Sequence, residues 1–285
     1  MPPTVLVVGS LHHDIMIDAP GLPQRDETMV GTGWHPKFGG KGGNQAVAAA
    51  QNGACRMLGA VGADGFGNFM RLGLTLGGVQ DDFVQTTPDA PTGISVAIVD
   101  PAGDYGAVIV SGANLAIDPA ALGDQALWAG VTVLLLQNEV PEGLNLAAAK
   151  LARARGITVI LNAAPARPLG AELAALVDIL VVNAVEAAMM GAGTVTDLVS
   201  AANAAETLAA RFSAVVVTAG AAGFAAWSAL DEAFAQPAEI VVVQSSHGAG
   251  DMFTGTLAAA AANGASLQAA CTAASNAAAH HDAGT

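Results

Sequence analysis

Five stretches of this chain are of strand length and nearly all apolar: 5–8, 131–136, 158–161, 179–182 and 214–217. A strand with one wet face alternates apolar and polar residues, so an unbroken apolar run implies cover on both faces, as in a parallel sheet between two helix layers. The segments between the runs, such as 142–155 and 197–211, have helical composition and length. This β-α-β alternation predicts an α/β fold with a doubly wound, mainly parallel sheet flanked by helices. Two regions break the rhythm. Residues 14–38 carry Pro20, Pro23, Pro36 and several glycines, and 93–110 place Pro101-Ala102-Gly103-Asp104 as a turn between two strand-like arms. Both read as antiparallel strands inserted into the α/β pattern. They predict a small β-sheet lid over about 12–40 and 91–112, on one large domain that takes up all 285 residues.

Charge and cysteine usage narrow the partners. A formal net charge of -14 and a pI near 4.5 repel a nucleic-acid backbone. An anionic cofactor therefore has to be held by local N–H groups, a few basic residues and a metal ion. Cys55 and Cys271 show no metal-ligand spacing and read as small core residues, in keeping with a reducing compartment. Met1-Pro2-Pro3 leads into the first strand without a charged leader, and the longest strongly apolar run, 131–136, is too short to span a bilayer. The expectation is a soluble cytoplasmic protein without membrane partners. Its mean hydropathy of +0.49 follows from abundant alanine.

Two glycine-rich elements carry the chemistry. Gly248-Ala249-Gly250-Asp251 runs into an alanine-rich helical segment; such a turn is either a plain tight turn or an anion site at a helix start. In the second case the N–H groups of Gly248, Ala249 and Gly250 face the anion, and Asp251 stands beside it as a base. The other reading of Asp251 is an acid that satisfies the helix dipole. The second element, Gly39-Gly40-Lys41-Gly42-Gly43-Asn44-Gln45, also precedes a helical run. Asp14 and Asn44 can pair with hydroxyls, or serve as a turn residue and a helix cap. Lys41 is a phosphate contact or a solvated helix-start lysine. Residues 218–223, with Thr218, Gly220 and Gly223, either cover a nucleotide or make an ordinary turn.

The first element resembles the GGKGxNQA signature, and the second the DTxGAGD signature, of the ribokinase-like (PfkB) carbohydrate kinases. The likeness extends in family order through Gly9-Ser10-Leu11-His12-His13-Asp14, Gly62-Ala63-Asp64-Gly65-Phe66-Gly67, Thr92-Gly93, Gln137-Asn138-Glu139, Asn162-Ala163-Ala164-Pro165, Asn183-Ala184-Val185-Glu186 and Thr218 to Gly223. The nearest likeness is to the ribokinase branch. The resemblance implies an ATP-dependent, Mg2+-requiring sugar kinase that phosphorylates the terminal hydroxymethyl of a pentose or related sugar. Asp251 is then the general base and 248–250 the anion hole. It further implies Asp14, His12, Gly40, Lys41, Asn44 and Glu139 around the sugar. On the nucleotide side it implies Asn183, Thr218, Gly220, Gly223 and Asn276, with Glu186 positioning the metal. A homodimer through the lid is implied too. The runner-up within the class is a nucleoside kinase, with Trp34 or Phe38 stacking on a base; a non-catalytic sugar-binding relative is the alternative outside it.

Three departures qualify the resemblance. His12 replaces the asparagine of GSxNxD, Ala184 replaces the first glutamate of NExE, and Ser245 replaces the aspartate that opens DTxGAGD. That aspartate is an ion ligand in potassium-activated relatives, and the chain ends soon after Asp282, near where relatives add carbonyl ligands. Weak or absent K+ dependence is expected. Neither a Walker-A loop nor a GxGxxG after the first strand is present. The pairs His12-His13 and His280-His281 are not read as metal sites, because adjacent histidines diverge on a strand and on a helix.

Overall fold

The computed structural model describes residues 1–101, 105–230, 232–241 and 248–283. The chain opens with β1 (Thr4–Val8), β2 (His12–Asp18), β3 (Gly33–Gly39), α1 (Lys41–Ala50), β4 (Ala54–Gly62), α2 (Gly65–Leu76) and β5 (Gln80–Thr87). It continues with β6 (Gly93–Val99), β7 (Tyr105–Val110), β8 (Val131–Gln137), α3 (Glu142–Arg153), β9 (Thr158–Asn162), α4 (Ala171–Ala174), β10 (Ile179–Asn183) and α5 (Ala184–Met189). Then follow α6 (Leu198–Ala209), β11 (Ala214–Thr218), β12 (Phe224–Ser228), β13 (Glu232–Gln236), α7 (Ala249–Ala262) and α8 (Leu267–Ala283).

Among the described residues the main sheet has nine strands in the order β13-β12-β11-β10-β9-β8-β1-β4-β5. It is parallel from β11 to β5, and β12 and β13 extend it as an antiparallel edge. This is the α/β fold with a doubly wound, mainly parallel sheet expected from the sequence. The apolar runs divide their side chains between two cores, as a period of two requires. Leu6, Val8, Leu134 and Leu136 face α3 and α6, whereas Val5, Val7, Val133 and Leu135 face α1, α7 and α8. Alanine lets the helices lie close to the sheet and to each other. Where α1 crosses α7, a Cβ on Gly255 would lie 2.4 Å from the Gln45 carbonyl oxygen. That close approach brings the starts of the two helices together. Cys55 and Cys271 are free and buried, and burial pushes the Cys55 thiol up to about 12.

The second sheet has the order β3-β2-β6-β7. Each hairpin is antiparallel, β2 with β3 and β6 with β7, and the hairpins join through parallel pairing of β2 with β6. The parallel join arises because both first strands leave the same end of the main sheet. Residues 102–104, in the turn expected between β6 and β7, lie outside the described residues. A carboxylate ties this sheet to the main one. Asp64 caps α2 by accepting from the Gly67 N–H (2.7 Å), and also accepts from the Thr92 hydroxyl (2.6 Å) and N–H (2.9 Å). The glycine-rich 62–67 segment and Thr92-Gly93 thus form a joint between the end of β4 and the start of β6.

Candidate active site

The strand order reverses at β1 and β8: from β1 the chain builds outward to β4 and β5 on one side and to β8–β11 on the other. The carboxyl ends at such a switch diverge and leave a crevice, the usual ligand site of open α/β sheets. Ser10 follows β1 and Glu139 follows β8 at this crevice. The Ser10 hydroxyl donates to Glu139 Oε2 at 2.5 Å, and the Lys41 N–H donates to the same oxygen at 2.8 Å. Gly40 is the N-cap of α1 at φ 84, a backbone conformation that glycine adopts without strain, and a Cβ there would lie 2.7 Å from the His12 nitrogen. The turn therefore passes directly over the β1–β2 connection.

His12 and Asp14 enter from β2. His12 is buried, with Nδ1 3.8 Å from Glu139 Oε2 and an Nε2 that has no partner among the described residues. Burial lowers its pKa, against the pull of Glu139. Asp14 is 6% exposed and lies over Gly39, where a Cβ would come within 2.1 Å of its Oδ2. Burial and then the charge of Glu139 raise its carboxyl pKa to about 7, with Lys37 opposing. His13 turns away from this group, stacking on Phe66 at 4.2 Å and meeting Phe69 edge-on.

Asp251 lies in the first turn of α7, whose N-cap Gly248 has φ 102. Its Oδ1 accepts from Gln45 Nε2 at 2.9 Å and its Oδ2 from Asn44 Nδ2 at 3.2 Å. Burial raises its pKa; Lys41 and the two amide donors work the other way, and Glu139 adds to the rise. Lys41 also lowers the pKa values of Glu186 and His12, so its ammonium stands among these groups. The first N–H groups of a helix lack intrahelical acceptors, so Ala249 and Gly250 present donors beside this carboxylate. Ser245, Ser246 and His247, just before the turn, lie outside the described residues, as do Gly284 and Thr285.

The expected nucleotide residues are more dispersed. Asn183 and Glu186 form a reciprocal cap on α5: the Glu186 N–H donates to Asn183 Oδ1 and the Asn183 N–H to Glu186 Oε2, each at 2.9 Å. Glu186 is buried, and burial raises its pKa. Thr218 ends β11 next to Asn183. Gly220 is exposed at φ 56, while Gly223, at φ 109, packs against β13, where a Cβ would lie 2.1 Å from the Gln236 oxygen. Gly223 therefore has a structural reason to be glycine. Asn276 lines an open depression on α8 with Ser266, Gln268, Ala269, Thr272 and Ala273, none of which belongs to the Asp251 cluster. Of the two aromatic residues considered for base stacking, Phe38 packs onto Gly43 and Gly73, and Trp34 is 68% exposed on β3.

Three residues of the cluster had no role assigned from sequence: Ser10, Gln45 and Asn162. Gln45 Nε2 also donates to Asn162 Oδ1 at 3.0 Å. The available signal was position alone, since Gln45 follows Asn44 and the other two lie within glycine- or proline-rich strand ends.

A doubly wound sheet with a small second sheet over its switch point, and a buried carboxylate at a helix start beside a glycine turn, defines a phosphotransferase-like α/β architecture. The chain belongs to the pfkB family of carbohydrate kinases, whose model matches residues 3–280. It is 34% identical over 268 residues to a Bacillus subtilis ribokinase, covering 93% of this chain and 88% of that one. Against the Mus musculus ribokinase it is 35% identical over 259 residues, covering 89% and 80%. The structure of Arabidopsis thaliana ribokinase complexed with ribose and ATP superposes with a TM-score of 0.88 at 29% identity, covering 98% of this chain and 92% of that one. The protein is thus a carbohydrate kinase, a phosphotransferase with an alcohol acceptor.

Proposed function

We propose that this enzyme transfers the γ-phosphoryl group of ATP to the terminal hydroxymethyl of a small sugar, a pentose or a close relative. The observation that carries the reading is the placement of the buried Asp251 carboxylate, held by Asn44 and Gln45 beside the first N–H groups of α7. Asp251 takes the hydroxyl proton, the sugar oxygen bonds to the γ-phosphorus, and the bond to the β–γ bridging oxygen breaks to release ADP. Gly248, Ala249 and Gly250 stabilise the charge on the transferred group. Asp14, His12, Gly40, Lys41, Asn44 and Glu139 surround the sugar; Asn183, Thr218, Gly220 and Asn276 serve the nucleotide. Among the described residues no cluster of three or more acidic, histidine or cysteine side chains suits a metal. Mg2+ keeps most of its waters and needs one or two carboxylates plus phosphates. Glu186 would hold it, and the ion would neutralise phosphate charge.

A panel of sugars and nucleosides, assayed for ADP release with ATP and Mg2+, tests the reading. A sugar should give the highest kcat/KM; a nucleoside exceeding every sugar would overturn it. The packing of Phe38 against α1 and α2 counts against base stacking.

His12 sets a narrower expectation. An imidazole wedged beside Glu139, over Gly93, offers a different donor and acceptor geometry from an amide. D-ribose should therefore be a poorer substrate than some other sugar of the panel, and His12→Asn should raise its relative kcat/KM. Ribose ranking first with the unaltered enzyme would refute this.

We also propose weak potassium dependence, on the residue identity at Ser245: a neutral hydroxyl is a poor partner for a hard cation. Replacing a bulky organic cation by K+ at constant ionic strength should change turnover less than about threefold. A large saturable rise would contradict it. In the unresponsive enzyme, Ser245→Asp is the variant expected to gain a response.

Dimerisation through the second sheet is supported by the exposed Val108, Ile109 and Val110 on its edge strand β7. No helix among the described residues is long and apolar enough to cross a membrane. A cytoplasmic location is proposed from the two free, buried cysteines.

A further inference from the structure

Asp251 is held by a directional chain of amides. The Val181 backbone oxygen can only accept, and Asn162 Nδ2 donates to it at 3.2 Å. That contact turns Asn162 Oδ1 toward Gln45, whose Nε2 donates to it at 3.0 Å and to Asp251 Oδ1 at 2.9 Å. The opposite orientation of the Gln45 amide would set its oxygen against two acceptors. A backbone carbonyl on β10 therefore dictates which atom of Gln45 meets the carboxylate. Gln45 is fully buried, Asn162 is 8% exposed, and the close crossing at Gly255 fixes α1 against α7. Oδ2 differs from Oδ1: its partner Asn44 is only half-buried and comes from the same helix turn that follows the Gly39–Gly40 approach.

We propose that Gln45, backed by Asn162 and the Val181 carbonyl, is a positioning residue that anchors Asp251 through Oδ1 and so turns Oδ2 toward the substrate's hydroxyl proton. The inference rests on the kinase reading above and extends it to a residue with no role there. The charged groups around Asp251 are Lys41 of α1, Glu139 after β8, Asp14 of β2 and Glu186 of α5, with His281 of α8 against Gly248. Burial raises the Asp251 pKa and the Gln45 donor lowers it, so loss of that donor moves the ionisation to higher pH.

The test is the pH profile of kcat at saturating sugar and ATP, which follows the base in the bound complex, for the full-length enzyme and for Gln45→Met, a change close in volume that removes the donor. The acid limb should move alkaline by about one to two pH units, the difference made by a hydrogen bond to a charged group. Activity on that limb falls by about ten- to a hundredfold, and raising the pH restores it toward the unaltered enzyme. Sugar Kd by calorimetry should change less than about threefold, well under the loss on the limb. Asn162→Leu should move the limb the same way by less. A folded Gln45→Met with an unmoved limb and a uniform loss at every pH would overturn the proposal. Should Gln45→Met fail to fold, an unmoved limb in Asn162→Leu would overturn it and a moved one would support it. Absence of sugar-dependent ADP release by the unaltered enzyme would instead refute the kinase reading itself.

Discussion

Asp251→Asn should lower turnover by a factor on the order of a hundred or more, while ATP and sugar still bind. The amide is isosteric, and its oxygen can still accept from Gln45 at the Oδ1 position. The other position then carries an NH2 facing the Asn44 donor, with no lone pair to take a proton. The fold should survive, because the exchange removes a charge that is costly to bury. Steady-state kinetics with saturating ATP and sugar, paired with calorimetric binding, separate the two effects. Near-normal turnover in a folded Asp251→Asn protein would remove Asp251 from the role of base.

Asp14→Asn should weaken sugar binding on the order of a hundredfold, because an ionised carboxylate accepting two hydroxyls makes stronger hydrogen bonds than an amide. It should also make the protein more stable in alkali. The Asp14 pKa of about 7 is raised above that of an unfolded-chain carboxyl, so folding favours the protonated form. Stability from that form is fully present below the unfolded carboxyl range and is lost as pH rises through about 7. At pH 8, then, Asp14→Asn should melt a few degrees above the unaltered enzyme, with the gap closing toward pH 5. Sugar binding runs in the opposite direction. The sugar KM should rise about tenfold per pH unit below 7 as Asp14 takes up its proton. Thermal melts across pH 5–9 and KM measured over the same range check both signs; an asparagine variant less stable at pH 8 would contradict the first.

The parts of the fold that could be read from sequence are those where burial leaves no choice of residue. The runs of β1, β10 and β11 are apolar and unbroken because helices cover both faces, and in β8 only Thr132 interrupts the run 131–136. β5 is not legible in that way, since Gln80-Asp81-Asp82 and Thr86-Thr87 belong to an edge strand with wet positions. The two hairpins of the second sheet are marked by prolines and glycines, but the parallel meeting of β2 and β6 depends on the intervening residues 19–92, which form β3, α1, β4, α2 and β5. In the site, Asn44 and Asp251 stood out because each follows a glycine turn at a helix start. Gln45 did not, because its work depends on the crossing of α1 and α7 and on Asn162 beneath it, contacts 206 and 117 positions apart in sequence. Ser10 was hidden for the same reason, its partner Glu139 lying 129 positions away. Asn183 and Glu186 show the converse: a spacing of three serves a helix cap and a phosphate-side carboxylate equally, and the cap is what their geometry displays.

The central claim is that a γ-phosphoryl group passes from ATP to a primary hydroxyl of a sugar. It is tested most directly by phosphorus NMR of the product made with the best sugar of the panel. The account expects one phosphomonoester formed in step with ADP, its signal split into a triplet by the two protons of a methylene carbon. Inorganic phosphate in place of the ester, or a doublet from a secondary carbon, would contradict it.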